Sequence, residues 1–443
     1  MKFVDLFAGL GGFHKALNTL GHDCVLASEI DSELREIYAD NFPDISKNRI
    51  LGDIRKCKDE IPSHDILCAG FPCQPFSKSG TQKGLKDKTR GTLFHEIVDV
   101  LERCRPEYVI LENVGNFERH DEGRTWKIVR ESLEKLSYDV QGTEHVTSGG
   151  AGLLSPHHFG FPHSRERFYI VARQGKLPSE SLPKGDRSCV TNLDDTIQKK
   201  LELHKRDRIE TKLTAQQSDC IDHWNKLLAK LPEGQVELPS FPIWGDEFQA
   251  TYPFETYTPF IAPIKELRTA VNGHAALSRI TREELLVLLP NYARHEVEEF
   301  PRWKVDFIRQ NREWFKKHRK YFGTRWLKKL REFPPSLRKL EWNCRGEERD
   351  LWRHVLQFRP SGLRVKRYSA CPSLVAMTST QIPLLGPERR FLTRVEGLRL
   401  QGFPDTHAIP QSRAKTFQAL GNAVHVGVVT AIADSLLNRK TIR

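Results

Sequence analysis

The segment AGFPCQPFSKSG, residues 69–80, sets one thiol between a proline and a glutamine directly after an apolar, strand-like run. Cys68 lies inside that run, DILCA, where a sulfur packs as a small hydrophobe and stays inert. Cys73 falls just past its end, and the two flanking prolines keep Phe71 and Gln74 out of helical conformations, which fixes and exposes the thiol as a nucleophile requires. LENV closes another apolar run with Glu112 and Asn113, and HSRERFYIV opens a third with Arg165 and Arg167 two apart, so that both face one side. A thiol, a carboxyl group and two guanidiniums suit a particular problem. Carbon 5 of cytosine is a poor nucleophile, but a thiolate added at carbon 6 turns the ring into an enamine that can take a methyl group from a sulfonium. Glu112 would hold or protonate N3 and the amino group, while an arginine holds the carbonyl oxygen. A base stacked in a duplex is out of reach, so the target must be flipped out.

The methyl donor has its own signal. DLFAGLGG ends a strand and opens a helix, and Gly9 and Gly11 let the backbone turn sharply and approach a ligand. Position 14 is His instead of the third glycine of a dinucleotide fingerprint, so a diphosphate clamp is not supported. Glu29 lies 20 residues after Gly9 at the next strand end, where a carboxylate binds ribose hydroxyls, and Asp53 in GDI is a further acid of this kind. A nucleoside without pyrophosphate, held by carboxylates, points to S-adenosylmethionine.

These groups need a scaffold that brings strand ends together. KFVDLF, DCVLASEID, HDILCAG, EYVILENV and RERFYIVAR read as strands. FHKALNTLG, SELREIYADNF with Ser32 as N-cap, TLFHEIVDVLERC and GRTWKIVRESLEKLSY read as the helices between them. Alternation at these lengths predicts an α/β fold with a Rossmann-like, doubly wound, mostly parallel sheet. The rhythm breaks near Lys176. Residues 176–388, rich in Pro and Gly punctuation and holding the amphipathic run RWKVDFIRQNREWFKKH, are predicted to form a second domain. Residues 389–443 resume the first style and return to complete the domain begun by residues 1–175.

The net charge of +12 is unevenly spread: residues 302–368 hold 21 Lys or Arg against 7 Asp or Glu. Interleaved with Trp303, Phe307, Trp314, Phe315, Tyr321, Trp326, Trp342 and Trp352, that basic stretch suits a polyanion with stackable or groove-exposed bases, or else a solvated helix surface over an aromatic core stripe. The nine cysteines show no CxxC pair or zinc spacing, so no metal is expected and a reducing compartment fits. No window reads as a bilayer span, and the N-terminus does not read as a signal peptide.

Together DLFAGLGG, SEID, GDI, GFPCQPFSKSG, ENV, SRERFYIV, RVEGLRLQGFPD and QALGNAVHVGVV resemble, in order, the motifs of cytosine-C5 DNA methyltransferases, over the first 175 and the last 55 or so residues. The resemblance implies a class I methyltransferase fold. It also implies an S-adenosylmethionine site at Phe7, Gly9, Leu10, Gly11, Glu29, Ile30, Asp53, Ile54, Pro72, Asn422 and Val424. Cys73 would be the nucleophile, Glu112 the group on N3, and Arg165 and Arg167 would surround the flipped base. Residues 80–94 resemble the loop that closes over DNA, and residues 176–388 take the place of the target-recognition domain. The implied setting is bacterial and cytoplasmic. The enzyme would act as a monomer on double-stranded DNA, as the modification half of a restriction system with a cognate restriction endonuclease. One departure is His163, where many members carry Gln. Two alternatives share the motifs: a tRNA cytosine methyltransferase, whose Cys-Phe-Thr signature is missing here, and a DNA-binding homologue without catalysis.

Overall fold

The computed structural model describes residues 1–72, 92–146, 152–199, 202–271, 280–375 and 381–437, so Cys73 and most of the 80–94 loop lie outside the described residues. The chain forms two compact units. Unit 1 comprises Met1–Glu202, Ser369–Ser379 and Thr393–Arg443; unit 2 comprises Leu203–Tyr368 and Thr380–Leu392.

Unit 1 is built on a seven-stranded sheet of β1 (Lys2–Leu6), β2 (Asp23–Ser28), β3 (Ile50–Leu51), β4 (Ile66–Gly70), β5 (Tyr108–Val114), β6 (Tyr138–Gly142) and β7 (Arg167–Gln174), in the order β3-β2-β1-β4-β5-β7-β6. Strand β7 alone runs opposite to the other six strands. The central strands are apolar on both faces, as strands covered by helices on both sides must be. The helices are α1 (Gly12–Thr19), α2 (Ser32–Asn41), α3 (Leu93–Cys104) and α4 (Arg124–Lys135). The N-cap of α2 is Asp31, not Ser32: its carboxylate accepts from the Glu33 and Leu34 amides, and Ser32 is the first helical residue. Strands β3 and β6 were not read from the sequence. The first is two residues long and the second carries an exposed Asp139, so neither shows a readable apolar period. The strand order turns back between β1 and β4, and a crevice opens there at the strands' carboxyl ends.

The chain returns to unit 1 through helices Arg394–Leu400, Arg413–Asn422 and Val426–Leu437. Residues 413–437 are together long and apolar enough to cross a membrane by length and composition, contrary to the expectation that no window would be. In the structure they form two helices broken at an extended Ala423, and most of the window is buried. Val424 leans on the start of α1 so closely that a Cβ on Gly12 would meet its carbonyl oxygen at 2.7 Å.

The unit boundaries differ from the expected 176 and 388. Residues 176–199 stay with unit 1, because a proline-rich stretch without strands must satisfy its backbone on its neighbours. The Asp186 amide donates to the His158 carbonyl, and the Gln198 amide to the Glu396 carboxylate.

Unit 2 carries a six-stranded sheet of β8 (Ile243–Trp244), β9 (Lys339–Asn343), β10 (Val355–Arg359), β11 (Gly362–Lys366), β12 (Leu384–Leu385) and β13 (Arg390–Phe391), in the order β13-β12-β10-β11-β9-β8. It packs with α5 (Ala215–Leu228), α6 (Arg302–His318) and α7 (Thr324–Glu332). Trp224 is fully buried and donates to the Leu337 carbonyl at 3.0 Å, and His223 stacks on Trp326 at 4.7 Å. Helix α6 serves two cores: Trp314 and Phe315 enter the one around Trp224, and Ile308 enters a second with Tyr252, Leu267 and Leu285. Most aromatics of the basic stretch are therefore core residues. Among its tryptophans, Trp303 alone is exposed.

Gly12→Ala is expected to lower the unfolding free energy by about 1–3 kcal/mol, the usual cost of overpacking a tight contact. Urea denaturation measures it. A wild-type midpoint would show that the Val424 segment yields freely.

Candidate functional site

At the crevice the ends of β1, β2, β4 and β5 and the start of β7 line a cavity of about 360 Å³. After β1 the chain turns through Phe7 and Gly9, both at positive φ (57° and 54°), and the Gly9 amide donates to Glu29 Oε2 at 2.9 Å. A non-glycine residue held in that region costs energy that its surroundings must supply, and Phe7 lies on the cavity wall. Glu29 Oε1 accepts from the Asp31 amide at 2.9 Å, so its carboxylate is held at the end of β2 by two backbone donors. Ile30 follows on the wall as an apolar side chain 66% exposed, surface that a ligand would cover. Pro72 lines the cavity beyond β4, and Asn422 and Val424 close it from the C-terminal segment.

Four residues of the expected cofactor set lie off this wall. Leu10 is buried, and its carbonyl accepts from His407 Nε2 at 2.9 Å. Gly11, at φ 79°, gives room to the Phe42 ring. Asp53 caps the helical turn Ile54–Cys57 and is gripped by Arg55 at 2.6–3.0 Å, which holds its carboxyl below the usual range; Ile54 is packed in the core.

The other end of the cavity holds Glu112, Arg165 and Arg167. Glu112 sits on β5 between Gly70 of β4 and Tyr169 of β7. Arg167 Nε lies 2.9 Å from Glu112 Oε1, close enough for an ion pair but off the hydrogen-bond axis, so that oxygen has no aligned donor. Burial pushes the Glu112 pKa up, and the charges of Arg167 and Arg165 offset this only in part. Arg165 is 2% exposed, and its Nη2 donates to the carbonyls of Gly421 and Ala423 at 2.9 Å each. Burial, with Arg167 alongside, lowers its pKa to about 9, so it stays charged at neutral pH. The two arginines thus share a cavity but have different partners.

His163 lies behind this wall. Its Nδ1 donates to the Leu400 carbonyl at 2.8 Å, and burial with Arg165 nearby pushes its pKa well below the usual range, so the ring is neutral. Asn113 was not among the expected site residues. Its Nδ2 donates to the Phe71 carbonyl at 2.9 Å and its Oδ1 accepts from the Val114 amide, tying β5 to the backbone that leads into Pro72 and Cys73. An amide side chain at the carboxyl end of a parallel strand was the signal available. Ser155 gave none: its hydroxyl accepts from the Arg165 amide at 2.8 Å, a pairing that only the fold creates.

Comparison with known proteins gives this geometry its context. Residues 1–438 match the family described as C-5 cytosine-specific DNA methylase. The chain is 33% identical to the type II methyltransferase M.AluI of Cellulosimicrobium cellulans, over 99% of this chain and 92% of the relative. It is 44% identical to M.MspI of Moraxella sp over 39% of this chain and 38% of the relative. With M.HhaI of Haemophilus parahaemolyticus it shares 42% over 40% of this chain and 50% of the relative.

Arg165→Lys keeps the charge but not the two-carbonyl grip, since an ammonium lacks the planar fork. It is expected to cost about 1–3 kcal/mol in urea denaturation and to speed amide exchange across residues 421–426. Wild-type exchange there would mean that the segment is held by other contacts.

Proposed function

The chain belongs to the C-5 cytosine-specific DNA methylases, and on that premise we propose that it methylates carbon 5 of a cytosine flipped out of duplex DNA, using S-adenosylmethionine and a transient covalent bond from Cys73 to carbon 6. One observation carries the reading. Glu112, Arg165 and Arg167 share a single cavity with the strand-end carboxylate Glu29 and with Asn422 and Val424. The cavity volume falls in the usual range for small-molecule sites.

The lining suits a nucleoside cofactor. Glu29 has lone pairs left for ribose hydroxyls, and Phe7 and Ile30 offer apolar surface beside it. When bound, S-adenosylmethionine supplies an electrophilic methyl group on a sulfonium.

The chain's own residues do the rest. Asn113 fixes the strap from which Cys73 follows. Cys73 adds as thiolate to carbon 6, while Glu112, whose proton burial retains to higher pH than on an exposed glutamate, donates to N3. Of the two arginines, we assign Arg167 to the base's carbonyl oxygen: it stands beside Glu112 and is less deeply buried, whereas Arg165 Nη2 already donates to two backbone carbonyls. After methylation, the carbon 5 proton passes to water, Cys73 leaves carbon 6 as thiolate and the N3 proton returns to Glu112, which restores the aromatic ring. Unit 2 takes the role of target recognition, and the enzyme works as a monomer in a bacterial cytoplasm, protecting sites that a cognate restriction endonuclease would cut. The relatives reported above are type II methyltransferases, and tRNA as substrate is not favoured.

Bisulfite sequencing of a plasmid from cells expressing the protein is expected to show conversion-resistant cytosines at one short recurring sequence. Complete conversion would refute the reading. Cys73→Ala should abolish transfer while cofactor affinity stays within about tenfold. Glu112→Gln should lower the transfer rate by about 10²–10⁴. In the wild type the Glu112 contribution is lost as pH rises through its raised pKa, so the variant's pH–rate profile should lack that limb. An unchanged profile would remove Glu112 from proton transfer.

A further inference from the structure

The basic stretch of unit 2 is less uniform in the fold than in the sequence. Among the described residues, nine of its 21 Lys and Arg pair with carboxylates. Several of those acids come from outside the stretch, such as Glu255 for Arg309, Glu247 for Arg312 and Asp246 for Arg338. Residues 316–328, KKHRKYFGTRWLK, are the exception. They contain six cations and no acid.

This segment is the end of α6, the turn and the start of α7. Its apolar side chains, Phe322, Trp326 and Leu327, point into the core of unit 2. Lys316, Lys317, Arg319, Lys320, Arg325 and Lys328 are all exposed, and none pairs with a described carboxylate. Helix-dipole complementarity accounts for Lys316 and Lys317, which lie in the last turn of α6. It does not account for Arg325, which sits in the first turn of α7, where a cation is disfavoured and no acid is present. Six like charges within 13 residues repel one another, and a polyanion relieves that repulsion.

We propose that the α6–α7 hairpin is a contact surface for the phosphate backbone of duplex DNA. The proposal rests on the DNA-methyltransferase reading above and locates part of its substrate contact. A surface of this kind adds affinity and orients the duplex without reading its sequence.

The test uses the full chain and a fluorescent duplex, with binding measured by anisotropy across a salt series. K316Q/K317Q/K320Q is expected to weaken binding at least about tenfold and to reduce the slope of log K against log salt by about 2–3. R325Q/K328Q should reduce that slope by about 1–2, and it serves as the second variant if the triple folds poorly by thermal melting. R345Q/R353Q/R367Q removes three cations that are 89%, 65% and 54% exposed but paired with Glu237, Glu348 and Glu347, and should leave the slope close to wild type. A wild-type slope in both hairpin variants, or an equal loss in the paired-arginine control, would overturn the proposal. Methylation of the same duplex by the wild type is measured first: its absence would refute the functional reading, whereas methylation with an unchanged slope would refute only the hairpin.

Discussion

A parallel sheet leaves its ligand crevice open at the carboxyl ends of its strands, and in unit 1 the missing wall comes from a helix end far along the chain. The last carbonyls of helix Arg413–Asn422 have no partners within the helix and carry its partial negative charge. Arg165 Nη2 takes those of Gly421 and Ala423, and Gln401 Nε2 takes those of Leu420 and Ala423. A buried guanidinium is costly unless it is well satisfied, so the wall and the cation stabilise each other. Val424 then packs where Gly12 leaves space, and Asn422 is held at the cavity edge. The distance between the two ends of the motif series in the sequence is a consequence of this closure.

The same corner sets the electrostatics of the site. One carboxyl and two guanidiniums are removed from water within a few ångströms, and the local balance is positive. Burial favours the protonated form of Glu112, and the neighbouring cations favour the ionised form. A carboxyl balanced in this way can move a proton in either direction. His163 adds no charge, because burial and Arg165 keep its ring neutral.

Unit 2 treats charge differently. Its cations mostly serve packing and ion pairing. Glu247 is fully buried and accepts from the Tyr292 hydroxyl and Arg312, while the Arg312 guanidinium lies over the rings of Tyr252 and Phe254 at 4.4 and 4.5 Å. Where carboxylate partners run out, in residues 316–328, the net charge remains for something outside the chain.

The alternation of apolar strands and amphipathic helices, the glycines after β1 and the acid at the end of β2 were legible in the sequence. So were Glu112, Arg165 and Arg167 as a group, because local periodicity places polar residues at strand ends with little help from the rest of the fold. Strand β3 was hidden by its shortness, β6 by the exposed Asp139 that breaks its apolar run, and Ser155 because no local pattern links its hydroxyl to an amide ten residues on. Which arginine is engaged by backbone carbonyls, which of the cofactor-motif residues reach the wall, and which cations of unit 2 lack a carboxylate were decided only by tertiary structure. Each of these depends on a partner from another part of the chain: the carbonyls of Gly421 and Ala423 for Arg165, His407 for Leu10, and Glu247 for Arg312. A sequence determines which groups can do chemistry, because that is a property of side chains and local spacing. Packing decides which of them are free to do it, because a group is free only after its neighbours in space have taken their share.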